Sequence, residues 1–319
     1  MTALRDNLGR TFKTLRISLI NTCNLACTYC TYGNDESKEN YTKHESNVIS
    51  VHEMLNLIKR LHARLELTTI RFTGGEPLLY KELTTLITGT RDLGIGNLNL
   101  TTNGLLLQKM APALKAAGLR SVNVSLDAID PLTFFKMSRR HGLEQTLSGI
   151  EAAINEGIEV KLNAVIMKGM NDNQVIPLLK FAFSKNIKIR FLEIMSMGHL
   201  HGKIDEYFFS QKDILSLINR YYNFSPVSRS DSATANYWRT EEGHHFGIIA
   251  NESHPFCADC NRLRLDAYGN IYGCLSNNNP VSIAHTNTAG FDFKLREALA
   301  QKQSIKFTGS KLSMLHIGG

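Results

Sequence analysis

All six cysteines of this 319-residue chain fall in two groups of three. The first group, Cys23, Cys27 and Cys30 in CNLACTYC, has the spacing C-x3-C-x2-C. Three thiolates on one short loop can hold three irons of a cubane iron–sulfur cluster, since thiolate is the ligand such clusters use. The fourth iron is then left open to a small molecule. A structural zinc ion wants four protein ligands, so a zinc reading needs a distant histidine. Disulfide partners in a secreted protein and inert buried thiols are the other readings of a close triad. The second group, Cys257, Cys260 and Cys274 in FCADCNRLRLDAYGNIYGC, is spaced C-x2-C-x13-C. Again three thiolates are present, and on spacing alone a zinc knuckle completed by His254 stays open. Arg262 and Arg264 lie between these cysteines, two residues apart and so on one side of an extended chain. Paired guanidinium groups there offer bidentate contacts to phosphate.

The elements that must position these groups alternate along the chain. Residues 15–20 (LRISLI) read as a first strand with Arg16 at its start, directly before the first cysteine loop. The polar stretch 31–47 lacks periodicity and reads as a partly ordered flap or as disorder. Val51, Met54, Leu55, Leu57, Ile58 and Leu61 then mark one face of a helix. TTIRF is the next strand, ending in Gly74 and Gly75, and 83–93 a helix. Strands at NLNLTTNG, SVNVSLDA, VKLNAVIM and IKIRFLEIM alternate with helices over 105–117, 143–155 and 174–184. Six strands with intervening helices argue for parallel βαβ units. Right-handed crossovers then curl the sheet into a full or partial barrel. Chemistry in such barrels sits at the carboxyl ends of strands. There lie the first cysteines, Gly74, Gly75, Thr101, Asn103, Ser125, Asp127 and Met195. A second segment follows residue 198, with a helix over 210–220 and a hairpin of 236–240 and 245–250 turning at Gly243.

Composition narrows the classes. Hydrophobic residues at 43% and charged residues at 20% are those of a soluble globular protein, and no run of eighteen apolar residues offers a membrane span. The opening MTALRDNLGRTFKTLR has no signal-peptide core, so a reducing, cytoplasmic setting is expected. The formal charge of +7 fits a mildly basic surface or a phosphate-rich partner equally.

The triad together with RFTGGEP, residues 71–77, resembles the radical S-adenosylmethionine superfamily. The resemblance implies that S-adenosylmethionine chelates the open iron and is cleaved by an electron from the cluster to a 5′-deoxyadenosyl radical. The cofactor carries the hard chemistry and the protein positions it. With LTTNGLLL, VNVSLDAID, VKLNAVIMKGMND, FCADCNRLRL and Gly318-Gly319 added, the chain is similar over nearly its whole length to the GTP 3′,8-cyclase family of molybdenum cofactor biosynthesis. That likeness implies an α/β fold: an incomplete (β/α)6 TIM-like barrel over 1–198, then a C-terminal α+β region over 199–319. Each part would hold one 4Fe–4S cluster. The radical would abstract the 3′ hydrogen of GTP, and the ribose radical would attack carbon 8 of guanine, whose base sits on the second cluster.

Carried over position by position, Cys23, Cys27 and Cys30 would hold the catalytic cluster and Cys257, Cys260 and Cys274 the second. Tyr29, Gly75, Ser125 and Met195 would line S-adenosylmethionine. Arg16, Arg71, Thr101, Lys161, Arg262, Leu263 and Arg264 would hold GTP, and Arg190 joins them from its place on the sixth strand. Gly318 and Gly319 would form a tail reaching into the site. The partners implied are GTP, an electron donor and a downstream cyclic pyranopterin monophosphate synthase. Nucleic acid and membrane are not expected, and a homodimer is the assembly to test. Asn21-Thr22 before the first cysteine, CTYCTYG after it and CLS after Cys274 depart from the family pattern without removing a ligand.

Overall fold

The computed structural model describes residues 3–31 and 48–318. Six strands follow one another as parallel neighbours: β1 (Thr14–Ser18), β2 (Thr69–Thr73), β3 (Asn97–Thr102), β4 (Ser121–Ser125), β5 (Glu159–Ile166) and β6 (Lys188–Glu193). Alternation decides which way each strand faces. Leu15 and Ile17 on β1, Ile70 and Phe72 on β2, Leu98 and Leu100 on β3, and Val122 and Val124 on β4 are wholly buried on the outer face. Arg16, Arg71, Asn99, Thr101, Asn123 and Ser125 alternate with them and face inward. A one-residue slip of β1 would turn Arg16 into the apolar layer and expose Leu15 and Ile17, at about 1.5–3 kcal/mol for each buried side chain lost.

Helices cover the outer face, and their ends are set locally. Helix α1 (Val51–Leu65) starts on a capping box in which Ser50 and Glu53 satisfy each other's backbone. It buries Val51, Met54, Leu57, Ile58, Leu61 and Leu65, the stripe that the sequence pattern marks. Helices α2 (Leu83–Asp92) and α3 (Leu107–Ala117) follow β2 and β3. Helix α4 (Pro131–Ser138), unforeseen in the sequence, begins with Asp130 as cap and Pro131 in its first turn. Its Leu132 and Phe135 stay exposed, which blurs the apolar period. Helices α5 (Leu143–Asn155) and α6 (Val175–Ser184) fall where expected.

The segment after residue 198 does not stand apart from the barrel. After α7 (Gln211–Ile218) come β7 (Phe224–Val227), β8 (Asn236–Thr240) and β9 (His245–Ile249), and β9 pairs in parallel with β6. Strand β10 (Arg262–Leu265) pairs in parallel with β1, followed by β11 (Asn270–Tyr272) and β12 (Val281–Ser282). Eight parallel strands thus run in the order β10-β1-β2-β3-β4-β5-β6-β9, with antiparallel pairs outside them. The physical reason is that β1 and β6 would otherwise be bare edges with unpaired backbone groups. Helices α8 (Thr288–Ala300) and α9 (Met314–Ile317) complete the chain.

The sheet is strongly curled. Arg71 on β2 and Arg190 on β6 are four strands apart, about 19 Å on a flat sheet at 4.8 Å per strand. Yet their charges act on each other, as do those of Arg16 and Arg190. Only a rolled sheet brings those side chains into one lumen.

A candidate active site between two cysteine loops

The first cysteine loop leaves the carboxyl end of β1. Its turn is closed by backbone bonds from Cys30 and Thr31 to the Cys27 carbonyl at 2.9 and 3.0 Å. It rests on the Gly74-Gly75 turn after β2, where Gly75 N donates to Ile20 O at 2.5 Å and Glu76 N to Thr22 O at 2.8 Å. A Cβ on Gly75 would overlap the Thr22 carbonyl, so only glycine permits this approach. Glu76 is buried and accepts from Leu78 N (2.9 Å), Thr102 Oγ1 (2.6 Å) and Asn103 N (2.8 Å). Burial outweighs these donors and pushes its carboxyl up to about 7. Asn103 continues the chain of contacts, donating to Asn24 Oδ1 at 2.7 Å and to Cys23 Sγ at 3.8 Å. On the other side Tyr29 donates its hydroxyl to Asp127 Oδ2 at 2.9 Å, and Val165 N donates to Asp127 Oδ1 at 2.8 Å. Burial raises Asp127 to about 6.

The second triad lies at the opposite end of the lumen. Cys257 and Cys260 precede the start of β10, and Cys274 follows the antiparallel β11, so all three sit near the amino end of β1. The five residues of β1 separate the two loops by about 16 Å at 3.3 Å per residue. Arg10 Nη1 donates to the Cys257 carbonyl at 2.6 Å and to the Gln303 carbonyl at 3.0 Å, fastening this loop to the chain on both sides. Lys302 Nζ reaches Cys260 Sγ at 3.3 Å.

Each triad fits an iron–sulfur cluster. All six cysteines are thiols. Burial pushes Cys27 well above the ordinary thiol value, with Asp127, Cys30 and Cys23 adding to it. Burial likewise raises Cys257, with Cys274 and Cys260 contributing, so the thiols within each triad act on one another. Cys23 is pushed by burial up to about 11. Such thiols ionise when a metal takes the proton's place. Among the described residues no three His, Cys, Asp or Glu side chains converge on a single-ion site. Thiolates that each bind a different iron have no need to. His254, the fourth ligand that the zinc reading requires, has its Nδ1 at 3.3 Å from both Gln211 Nε2 and Ser253 Oγ.

Between the loops the lumen is lined with cations. Arg16 stands in register between Arg264 and Arg71 on its two neighbouring strands. Burial lowers its pKa well below the usual value, and Arg264, Arg71, Arg262 and Arg190 push in the same direction. Burial holds Arg71 at about 9 and Arg264 at about 10. Arg16 Nε, Ser18 Oγ and Asn123 Oδ1 are buried without a hydrogen-bond partner. Buried cations crowded together call for an anion between them.

The other expected residues are placed as follows. Thr101 sits inward on β3 beside Asn123, and Ser125 ends β4 beside Asn163. Arg190 Nε donates to Asn163 Oδ1 at 2.9 Å, a support invisible in the sequence. Lys161 is paired with Glu159 at 2.7 Å, so it is not a bare lumen charge. Arg262 donates to Ser232 O at 2.9 Å. Leu263 has its side chain 1% exposed in the outer apolar layer, because β10 alternates, which leaves its backbone to face a ligand. Met195 lies just past β6, packed with Met197, Phe307 and Ile317. Gly318 sits at the carboxyl ends of β1 and β2 with φ 76°, and a Cβ there would come within 2.5 Å of Thr73 Cγ2. Arg264 Nη1 donates to the Ile317 carbonyl at 3.0 Å and to the Gly318 carbonyl. Gly319 and residues 32–47, most of the expected flap, lie outside the described residues.

Residues 17–182 match the family model of the radical SAM superfamily, and 187–311 match that of Molybdenum Cofactor Synthesis C. The chain is 38% identical over 299 residues to a GTP 3′,8-cyclase of Staphylococcus epidermidis, covering 91% of this chain and 84% of that one. It is 38% identical over 280 residues to a GTP 3′,8-cyclase of Staphylococcus aureus, covering 85% and 81%. Among solved structures it resembles Streptococcus suis SuiB bound to the precursor peptide SuiA (TM-score 0.67, 16% identity, 92% of this chain and 68% of that one). It also resembles anSMEcpe with bound AdoMet (TM-score 0.62, 18% identity, 92% and 82%). At such identities these two likenesses show the fold alone.

Proposed function

The chain belongs to the radical SAM superfamily and, within it, to the GTP 3′,8-cyclase family, and on that premise we propose how its residues share the reaction. The enzyme uses S-adenosylmethionine and two 4Fe–4S clusters to make 3′,8-cyclo-GTP, the first step of molybdenum cofactor biosynthesis. When bound, S-adenosylmethionine and the clusters would supply the radical chemistry that couples C3′ of the GTP ribose to carbon 8 of its base.

Everything else falls to the protein. Cys23, Cys27 and Cys30 hold the catalytic cluster, and Tyr29, Gly75, Ser125 and Met195 line S-adenosylmethionine beside it. Cys257, Cys260 and Cys274 hold the second cluster, which takes the guanine. Arg16, Arg71, Arg190 and Arg264 neutralise the triphosphate, with Thr101, Lys161, Arg262 and the Leu263 backbone completing the pocket. The crowding of buried arginines around Arg16, whose own Nε has no partner, is the observation that carries this reading. A triphosphate relieves their mutual repulsion and explains why the fold tolerates it. Placing the nucleotide across the lumen orients C3′ toward the first loop and excludes water from the radical's path. Gly318, seated at that end, closes the mouth.

The cluster held by Cys23, Cys27 and Cys30 would take its electron from an external donor, and the product would pass to a cyclic pyranopterin monophosphate synthase. We place the enzyme in the cytoplasm as a homodimer; no described helix is long and apolar enough to cross a membrane. The test uses a chain in which Cys23, Cys27 and Cys30 are alanine. Adding GTP to its reduced, anaerobically reconstituted form should change the paramagnetic resonance signal of the remaining cluster. An unchanged signal, with GTP shown to be bound, overturns the guanine assignment.

A further inference from the structure

At the first cysteine loop the described donors to Cys23 Sγ are neutral: Leu25 N lies 3.4 Å and Asn103 Nδ2 3.8 Å away. At the second, a full cation touches a ligand. Lys302 Nζ donates to Cys260 Sγ at 3.3 Å and to the Arg262 carbonyl at 2.9 Å. Its ammonium lies 5.3 Å from the ring centre of the wholly buried Phe12. Arg10 locks the neighbouring Gln303 carbonyl to the cysteine loop. This lysine is therefore held in place rather than waving in solvent, and Arg262 adds a second positive charge acting on Cys260.

We propose that Lys302 is a positioning residue that acts through Cys260 to raise the reduction potential of the C-terminal cluster. The inference rests on the reading that this triad holds a 4Fe–4S cluster. Reduction adds one electron and therefore one negative charge, with no bond made or broken. A cation hydrogen-bonded to a ligand sulfur favours the reduced form.

The experiment is an anaerobic dithionite titration followed by paramagnetic resonance, without nucleotide. It uses chains that keep a single triad, the other being replaced by alanine. In the chain retaining Cys257, Cys260 and Cys274, Lys302→Met should lower the equilibrium constant for reduction about tenfold, which for one electron is about 59 mV. Lys302→Arg should leave the midpoint close to the parent value. A midpoint unmoved by methionine, or moved equally by methionine and arginine, overturns the proposal. Should the methionine variant fail to hold iron, Lys302→Gln decides by the same measure: its midpoint must fall below the parent value, and an unmoved midpoint overturns the proposal. Absence of iron and sulfide from the parent single-triad chains would instead defeat the cluster assignment itself.

Discussion

Replacing Arg16 with methionine should make the protein more heat-stable and worse at binding GTP. Arg16 stands between Arg264 and Arg71 in register, and its Nε has no partner. Adjacent strands lie about 4.8 Å apart, so we take about 6 Å between guanidinium centres. At an effective dielectric constant near 20, each such neighbour repels by about 3 kcal/mol. Water in the lumen and the loss of the arginine's aliphatic packing reduce the net relief to about 1–3 kcal/mol. That corresponds to a rise of a few degrees in the melting temperature of the nucleotide-free protein. Removing one buried cation from a phosphate should cost about 2–5 kcal/mol, or roughly thirtyfold to a few thousandfold in affinity. Anaerobic calorimetry reads both quantities on the cluster-loaded protein, by thermal scan and by GTP titration. The stabilisation that GTP gives the parent should shrink in parallel. A variant that melts lower while binding GTP normally would show Arg16 to be a packing residue and refute the reasoning.

Three further outcomes are expected. Asp127, raised by burial from 3.8 to about 6, keeps a proton in the folded cluster-free protein that the unfolded chain releases. Its stabilising contribution is full below about pH 4 and is lost as pH rises through 6. Asp127→Asn should flatten the stability profile across that window by about 3 kcal/mol in denaturant titrations, and an unchanged profile would refute the assignment. Gly75→Ala forces a Cβ into the Thr22 carbonyl. The loop must shift, and iron and sulfide bound by the first triad should fall while the second triad loads normally; full loading of both would count against it. Gly318→Ala meets both Thr73 and a left-handed backbone angle. Limited proteolysis should then cut the tail at least several times faster, and equal rates would show that the tail is not seated there.

The sequence made some of this plain and hid the rest for identifiable reasons. Strands β1 to β6 announce themselves because buried Leu, Ile, Val and Phe alternate with polar residues, and the polar set is the lumen. The cysteines and the glycines after β2 are legible because metal ligation and close backbone approach restrict residue type severely. Nothing local reveals that RLRL of β10 will lie beside β1, since that pairing joins residues some 250 apart in the chain. For the same reason the lumen role of Arg16 is only half visible: its neighbour Arg264 comes from the far end of the chain. Lys161 and Glu159 stand two apart on one strand, so their pairing was open to inspection. Lys302 carries no motif and reaches Cys260 only because α8 folds back on the loop. Leu263 lies between Arg262 and Arg264, and the period of a strand turns its side chain to the outer face.

The central claim is that one lumen holds GTP so that its 3′ hydrogen meets a radical made at the first cysteine loop. Anaerobic turnover with reductant, S-adenosylmethionine and GTP deuterated at C3′ tests it directly. The 5′-deoxyadenosine recovered should carry the deuterium and appear together with a cyclised nucleotide. Unlabelled 5′-deoxyadenosine beside intact GTP would contradict the account.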